Sequence, residues 1–554
     1  NPSATPSNFQ YSYDEVLVGY NFVGSPWWPA DNVWQSELAS MLSSGASLTN
    51  NMMITTAQDF LNVCEDVSTI GEFRQNPICV PNEDCQFQFC NLDNKEVNNL
   101  PAYSVDVRTP GDITQALGFA EKHNIQVSIK TTGHNFAGAS LMKNSLNILM
   151  ANYPKDGAIK SIYTDSCGTQ HIPTIGINGG EVWGDVYDNF KRDYHVLSGD
   201  TRTVSAAGGW LQGVGLSHTS RMYGVGVDHV VSFDVILPNG QQVTADACQN
   251  PDLFWALRGG GGGTFGVVTH VEYLLLPKTK ITIVNFRMDK PSWQDDKAIR
   301  MFLEYWIKVT PTADRLVGGA YFGSRYFEVF VLGDTKVAEE VFTTDFFAWY
   351  NTTYKAAGYD GNVEVEEFAS FYDYMEGDEP LEEQNVYGGN GERVSTRLVP
   401  EANLVDDPGG FLDFLMELHD YEWWDSYWLG GAVNDVPAGH TAVHPVMRST
   451  IWAISTSEVD SNRVVRDYLP DGISGSSFNH QGASELNWRV SLWGEENYKR
   501  LLGIKNRYDP NRRLNCWHCV GYQGEEYDPS SLPPSDSTPP SLTTFPSAAP
   551  SSEP

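Results

Sequence analysis

The chain has 554 residues, with 36 Lys and Arg against 70 Asp and Glu, and a formal net charge of −34. That length supports two or three domains around a well-buried core. The acidity argues against nucleic acid or an anionic membrane as a partner, since both select basic patches, and no stretch approaches the roughly 20 apolar residues of a membrane span.

Residues 1–96 read as a loop-rich, Cys-containing extension with one short helix in "WQSELASMLSSGA". The chain starts at Asn1, which reads as a mature chain whose signal peptide has been removed, and a secreted or wall-associated location is expected. Eight cysteines are present, at 64, 79, 85, 90, 167, 248, 516 and 519. An even count of this kind is expected to pair as disulfides in an oxidising compartment. "CWHC" has the CxxC spacing of a zinc site, but no second pair completes it, so no metal is expected.

Residues 97–279 alternate strand and helix patterns. "AYSVDVRT" reads as a strand, "PGDITQALGFAEKHN" as a helix opened by Pro and Asp, and "IQVSIK" as a strand. "HVVSFDVILPNGQQVTADA" is a hairpin turning at Asn-Gly. "PDLFWALRGG" is a short helix and "GVVTHVEYLLLP" a strand. Residues 280–485 form an aromatic-rich second unit, with strands in "KITIVNFRM" and "STIWAISTS" and a helix in "DKAIRMFLEYWIKV". A sequon, "NTT", stands at Asn351. Residues 486–525 form a C-terminal segment, and 526–554 are a Pro/Ser/Thr-rich tail that cannot bury a core.

Two stretches carry chemistry. "SIKTTGHNFAGAS" follows a strand and presents Thr131, Thr132, Gly133, His134, Asn135, Phe136, Ala137, Gly138, Ala139 and Ser140. Small side chains leave the backbone amides accessible, and such loops hold phosphates through dipoles without cations. A diphosphate can therefore sit inside an acidic protein. A second small-residue region, 198–233, contains Gly208, Gly209 and Gly213, and the two together are placed to wrap an extended dinucleotide. "GGGTFG", Gly261 to Gly266, matches GxGxxG, but a helix precedes it and a strand follows. That is the reverse of a Rossmann site, and a tight connection that lets another backbone lie close is expected instead.

These motifs, with "DLFWALRGGGGGTFGVVT" and "NYKRLLGIKNRYDP", resemble the berberine-bridge-enzyme-like flavoproteins of the vanillyl-alcohol-oxidase superfamily, over about residues 97–279 and 420–525. The resemblance implies an α+β fold: a PCMH-type FAD-binding domain of two α/β subdomains, completed by the C-terminal segment, with an inserted substrate domain of antiparallel sheet backed by helices. It implies FAD bonded through His134 to the flavin 8α carbon. Many relatives add a thioether from a Cys in a motif whose Cys position aligns with Gly209, so a single link is expected. Asp228 and Val230 match positions near the adenosine end. Asn479 matches an Asn near flavin and substrate, but the neighbouring tyrosines are missing, and Phe136 replaces another Tyr.

The expected function is hydride transfer to flavin N5 from a CH–OH group of a sugar or of a hydroxylated or phenolic metabolite, with O2 as acceptor and the protein a monomer. The base is open: His480 is the candidate, because its ordinary pKa near 6.5 suits the task, with Tyr508, His518 and carboxylates of the second unit beside it. Two other readings stay open, a non-redox cyclase using the flavin as scaffold and a wall-associated binding protein.

Overall fold

The computed structural model describes residues 19–522 except 55–89, 92–95, 98–99, 136, 191–192, 200, 376–394, 420–423, 457–458, 482–484 and 486. Cys64, Cys79, Cys85, Phe136 and the tail lie outside the described residues.

Among the described residues three sheets have more than two strands. The first has the order Ser47–Asn50, Tyr103–Asp106, Ser145–Leu149, Gln126–Lys130, with its last three strands parallel. Helix Pro110–Lys122 makes the crossover. Its start follows from the sequence: Thr109 caps the Asp112 amide, Pro110 occupies the first turn, and Ile113, Ala116, Leu117 and Ala120 bury one face.

Asp112 does more than cap. It accepts from the Ser43 amide and hydroxyl at 2.6 and 2.7 Å and from the Arg108 and Thr109 amides at 3.0 and 2.9 Å. Burial alone would raise its carboxyl, but these donors outweigh it and hold the group below the ordinary carboxylate range. Asp112→Ala should cost about 2 kcal/mol at pH 7, the upper range for a lost cap. A depressed carboxyl stabilises the fold above its unfolded pKa, so the cost should shrink as pH falls below about 4. Urea titrations of both proteins at pH 7 and pH 3.5 check this.

The second sheet is antiparallel, in the order Gln242–Ala245, Val230–Ile236, Val267–Leu274, Thr174–Asn178, Ile159–Lys160. The Asn239-Gly240 turn lies between its first two strands, as the sequence predicts, with Gly240 at φ +80°. A disulfide, Cys167–Cys248, staples the outer end of this sheet.

The third sheet has seven antiparallel strands in the order Gly361–Phe368, Ile281–Met288, Tyr326–Leu332, Val317–Phe322, Trp424–Trp428, Thr450–Thr456, Ser395–Pro400. Alternation divides its faces. Val284, Phe286, Phe327, Val329, Trp424 and Trp428 pack with helices Asp296–Val309 and Pro408–His419. Ile281, Ile283 and Phe330 face the other way, onto the core of the second sheet.

The C-terminal segment returns to the first sheet. Leu514 bridges Val127 in parallel, Val127 donates its amide to Arg513 O at 2.8 Å, and Asn515 donates to Val127 O at 3.0 Å. Among the described residues no helix is long and apolar enough to cross a membrane.

Candidate active site

A cavity opens where the two small-residue regions meet. Its wall holds Thr131, Thr132, Gly133, His134, Asn135, Ala139 and Ser140 from the first region and Ser205, Gly208 and Gly209 from the second. Gly262, Gly263 and Gly266 close one side, and Asn479 closes the mouth. The regions touch directly: a Cβ on Gly208 would stand 3.1 Å from Thr131 Oγ1. Among the described residues the wall contains no Lys, Arg, Asp or Glu.

The loop's own bonding narrows the expected nest. Asn135 donates its amide to Gly133 O at 2.7 Å, Gly138 to Asn135 O at 3.0 Å and Ala139 to Asn135 Oδ1 at 3.0 Å. Those three amides shape the loop and do not face the cavity. Ala137 and Gly138 do not reach the wall, so the part of the loop whose amides are left to face the cavity contracts to 131–134 and Ser140. Gly133 at φ +85° and Gly138 at φ +69° give the loop turns that L side chains resist.

His134 Nε2 lies 3.0 Å from Thr203 Oγ1, so the second region fixes the ring that the first presents. Gly209 stands in the wall as expected, but Gly213 lies one layer behind: its Cβ would meet Asn479 Nδ2 at 2.6 Å. Asn479 donates to Gly209 O at 2.7 Å, and its Oδ1 accepts from Asn135 Nδ2 at 3.4 Å. It is a clasp joining both regions to the short helix Phe478–His480.

Several of the expected site residues lie outside this cavity. Asp228 does not reach this cavity, because Arg448 holds its carboxylate through two bonds of 2.7 and 2.8 Å. Val230 is buried at the start of its strand. His480 stands outside the wall, with Nδ1 at 2.9 Å from Ser477 Oγ. Tyr508 donates to Asp252 at 2.9 Å, and burial with this bond pushes its hydroxyl up to about 12. His518 stacks on Trp488 and meets Gln481 Oε1 at 2.7 Å, and burial holds its ring neutral. Neither Tyr508 nor His518 faces the cavity.

A second, open cavity lies on the face of the seven-stranded sheet that packs onto the core of the second sheet. Asn285, Arg287, Tyr326, Glu328, Glu364 and Asp425 line it. The sequence reading left these residues unnamed. A signal was present: in "YFEVFVL" the face carrying Tyr326 and Phe330 also carries Glu328, a carboxylate among apolar neighbours. The ring centroid of Tyr427 is 6.2 Å from that of His480. Tyr427 shares its strand face with Asp425, and His480 follows Asn479.

The neutral cavity suits one chemistry. Glycines bring the backbone close, amide dipoles replace cations for a diphosphate, and one imidazole stands at the edge. Fold and site together define a flavin-dependent oxidoreductase. Residues 101–246 match the FAD binding domain family, and residues 470–516 match the berberine and berberine-like family. An FAD-linked oxidoreductase of Emericella nidulans is 30% identical over 461 residues, 74% of this chain and 75% of that protein. Another, of Aspergillus flavipes, is 27% identical over 525 residues, 82% of this chain and 83% of that protein. The chain belongs to this family of berberine-like, FAD-linked oxidoreductases.

Solved structures share the fold. A VAO-type flavoprotein of Myceliophthora thermophila has a TM-score of 0.74 at 21% identity, over 91% of this chain and 97% of that one. The glucooligosaccharide oxidase of Acremonium strictum, a protein with 6-S-cysteinyl, 8α-N1-histidyl FAD, has a TM-score of 0.60 at 19% identity, over 77% and 93%.

Proposed function

We propose that the chain is a secreted FAD-linked oxidase that takes a hydride from a CH–OH group of a sugar or of a hydroxylated or phenolic metabolite and delivers the electrons to O2. One observation carries the reading: the neutral, glycine-walled cavity with His134 in its wall is built largely by residues that match the FAD binding domain family.

Bound flavin supplies a two-electron acceptor. The chain's own residues do the rest. Residues 131–133 and Ser140 would hold the diphosphate by dipoles, and Asn479 holds the wall shut around the ring. His134, oriented by Thr203, is assigned the covalent link. Gly209 has no sulfur and no cysteine stands in the wall among the described residues, which supports one link instead of the two in the Acremonium protein. On the sheet, Glu328, Glu364 and Asp425 against Arg287 disfavour anionic donors, while Tyr326 and Tyr427 offer rings to stack on a neutral one. The sequon residue Asn351 is exposed, as a glycosylated secreted chain requires.

The protein should purify yellow and keep its flavin fluorescence after acid precipitation. His134→Ala should shed all of its flavin on denaturation; flavin that stays attached assigns the link elsewhere. Neutral sugars and phenolic alcohols, added under nitrogen, should include a donor that bleaches the flavin, and air should restore the colour with release of peroxide. A colourless protein, or one bleached by none of them, sinks the reading, and in the second case the scaffold role takes its place.

A further inference from the structure

Among the described residues three side-chain amides stand in the wall of the glycine-lined cavity: Asn135, Gln212 and Asn479. Two of their oxygens are occupied. Asn135 Oδ1 accepts from the Ala139 amide at 3.0 Å, and Asn479 Oδ1 accepts from Asn135 Nδ2 at 3.4 Å. Gln212 differs. It sits on the short helix Gly209–Gly213, it is 4% exposed, and among the described residues nothing bonds its Oε1.

Every other polar atom of Gln212 is committed. Its amide donates to Gly208 O at 3.1 Å, and its main-chain oxygen accepts from the Gly259 and Gly261 amides at 3.1 and 3.0 Å. Its Nε2 donates to Ala207 O at 3.2 Å and to Gly208 O at 3.4 Å. Those two carbonyls fix which way the side-chain amide lies, since turning it over would set oxygen against oxygen. A buried acceptor without a partner is costly. In the wall of a binding cavity it fits a ligand that brings the missing donor.

Oxidised flavin brings one such donor in a fixed direction. Its tricyclic ring carries a single N–H, at N3, between two carbonyl groups. The hydroxyls of the rest of the cofactor rotate to suit whatever acceptor lies near, but the N3–H points where the ring points, so its acceptor must be built in a set place.

We infer that Gln212 Oε1 accepts the N3–H of the bound flavin and thereby fixes the rotation of the ring in its plane. This rests on the reading of the cavity as the FAD site. The 8α carbon and N3 lie at opposite ends of the tricycle. A link through His134 holds one end, and an acceptor at the other stops the ring from swinging about its tether. The amide does this without placing a charge beside the ring, in keeping with a wall that holds no Lys, Arg, Asp or Glu among the described residues.

The test uses His134→Ala, whose flavin can be removed and replaced, so that FAD and N3-methyl FAD compete for one protein. With Gln212 intact, FAD should bind about tenfold or more tighter than N3-methyl FAD. Adding Gln212→Met, which keeps the bulk and loses the acceptor, should weaken FAD and bring the two to within about twofold; a steric cause would leave the ratio as it was. Gln212→Leu repeats the comparison with a second apolar shape. In the linked wild type the N3 proton should come off at higher pH than in Gln212→Met, read from flavin absorbance on alkaline titration, because the bond favours the protonated ring. A ratio that both substitutions leave unchanged, or one near unity with Gln212 in place, overturns the assignment while the FAD site survives. If neither the wild type nor His134→Ala binds FAD, the reading of the cavity fails and the assignment falls with it.

Discussion

Placing a methyl group at Gly262 should strip the protein of most of its flavin. The Cβ of an alanine there would stand 2.8 Å from Gly209 Cα, a contact with main chain that no rotamer relieves. The short helix Gly209–Gly213 that it strikes cannot retreat, because Asn479 holds it from the other side through Gly209 O at 2.7 Å. The helix would be driven into the cavity, at an overpacking cost of about 1–3 kcal/mol. The flavin-to-protein ratio of purified Gly262→Ala, read from absorbance, should fall well below that of the wild type, because a displaced wall hinders uptake before the link can form. Gly503→Ala is the matched control: nothing lies within 4 Å of its Cβ, and it sits on helix Glu495–Tyr508. It should keep its flavin and gain a little stability. Full flavin content in Gly262→Ala would show that the wall yields, and the tight-wall account would be wrong.

The second large effect is expected at Lys505. Its ammonium is fully buried and reaches Asp509 Oδ2 at 2.7 Å, Thr264 O at 2.5 Å and Leu514 O at 2.8 Å. One side chain thus joins the C-terminal helix, the glycine turn at the cavity and the segment that docks on the first sheet. Lys505→Met leaves Asp509 buried with only the Arg513 and Leu514 amides. Breaking a buried pair in this way costs about 3–5 kcal/mol. Lys505→Met/Asp509→Asn should recover part of it, because no charge is then stranded. Thermal unfolding of the three proteins at pH 7 checks both statements; a single variant as stable as the wild type would contradict them.

The elements legible in the sequence were those whose signals are local. The helix at Pro110 announces itself through its cap, the hairpin through Asn239-Gly240, and the glycine run at 261–266 through the helix before it and the strand after it. The loop around His134 was legible as a place where small residues leave the backbone open, and it lines the cavity. What escaped depends on partners far along the chain. Nothing near Asp228 reveals that Arg448, 220 residues on, takes its carboxylate. Nothing near Asn479 shows that it bonds the backbone at Gly209. The carboxylates of the sheet cavity come from strands far apart in sequence, and only the strand register brings Glu328 and Asp425 to one face.

The docking of Leu514 beside Val127 sets the order in which the molecule can be finished. The phosphate loop begins four residues after Val127, yet the backbone that flanks this strand arrives only after the whole seven-stranded sheet has left the ribosome. The compartment for the cofactor is thus among the last parts of the protein to close. Capture of the nucleotide becomes a ripening step of the complete polypeptide, and a molecule that has lost its final stretch would retain the loop but not the enclosure around it.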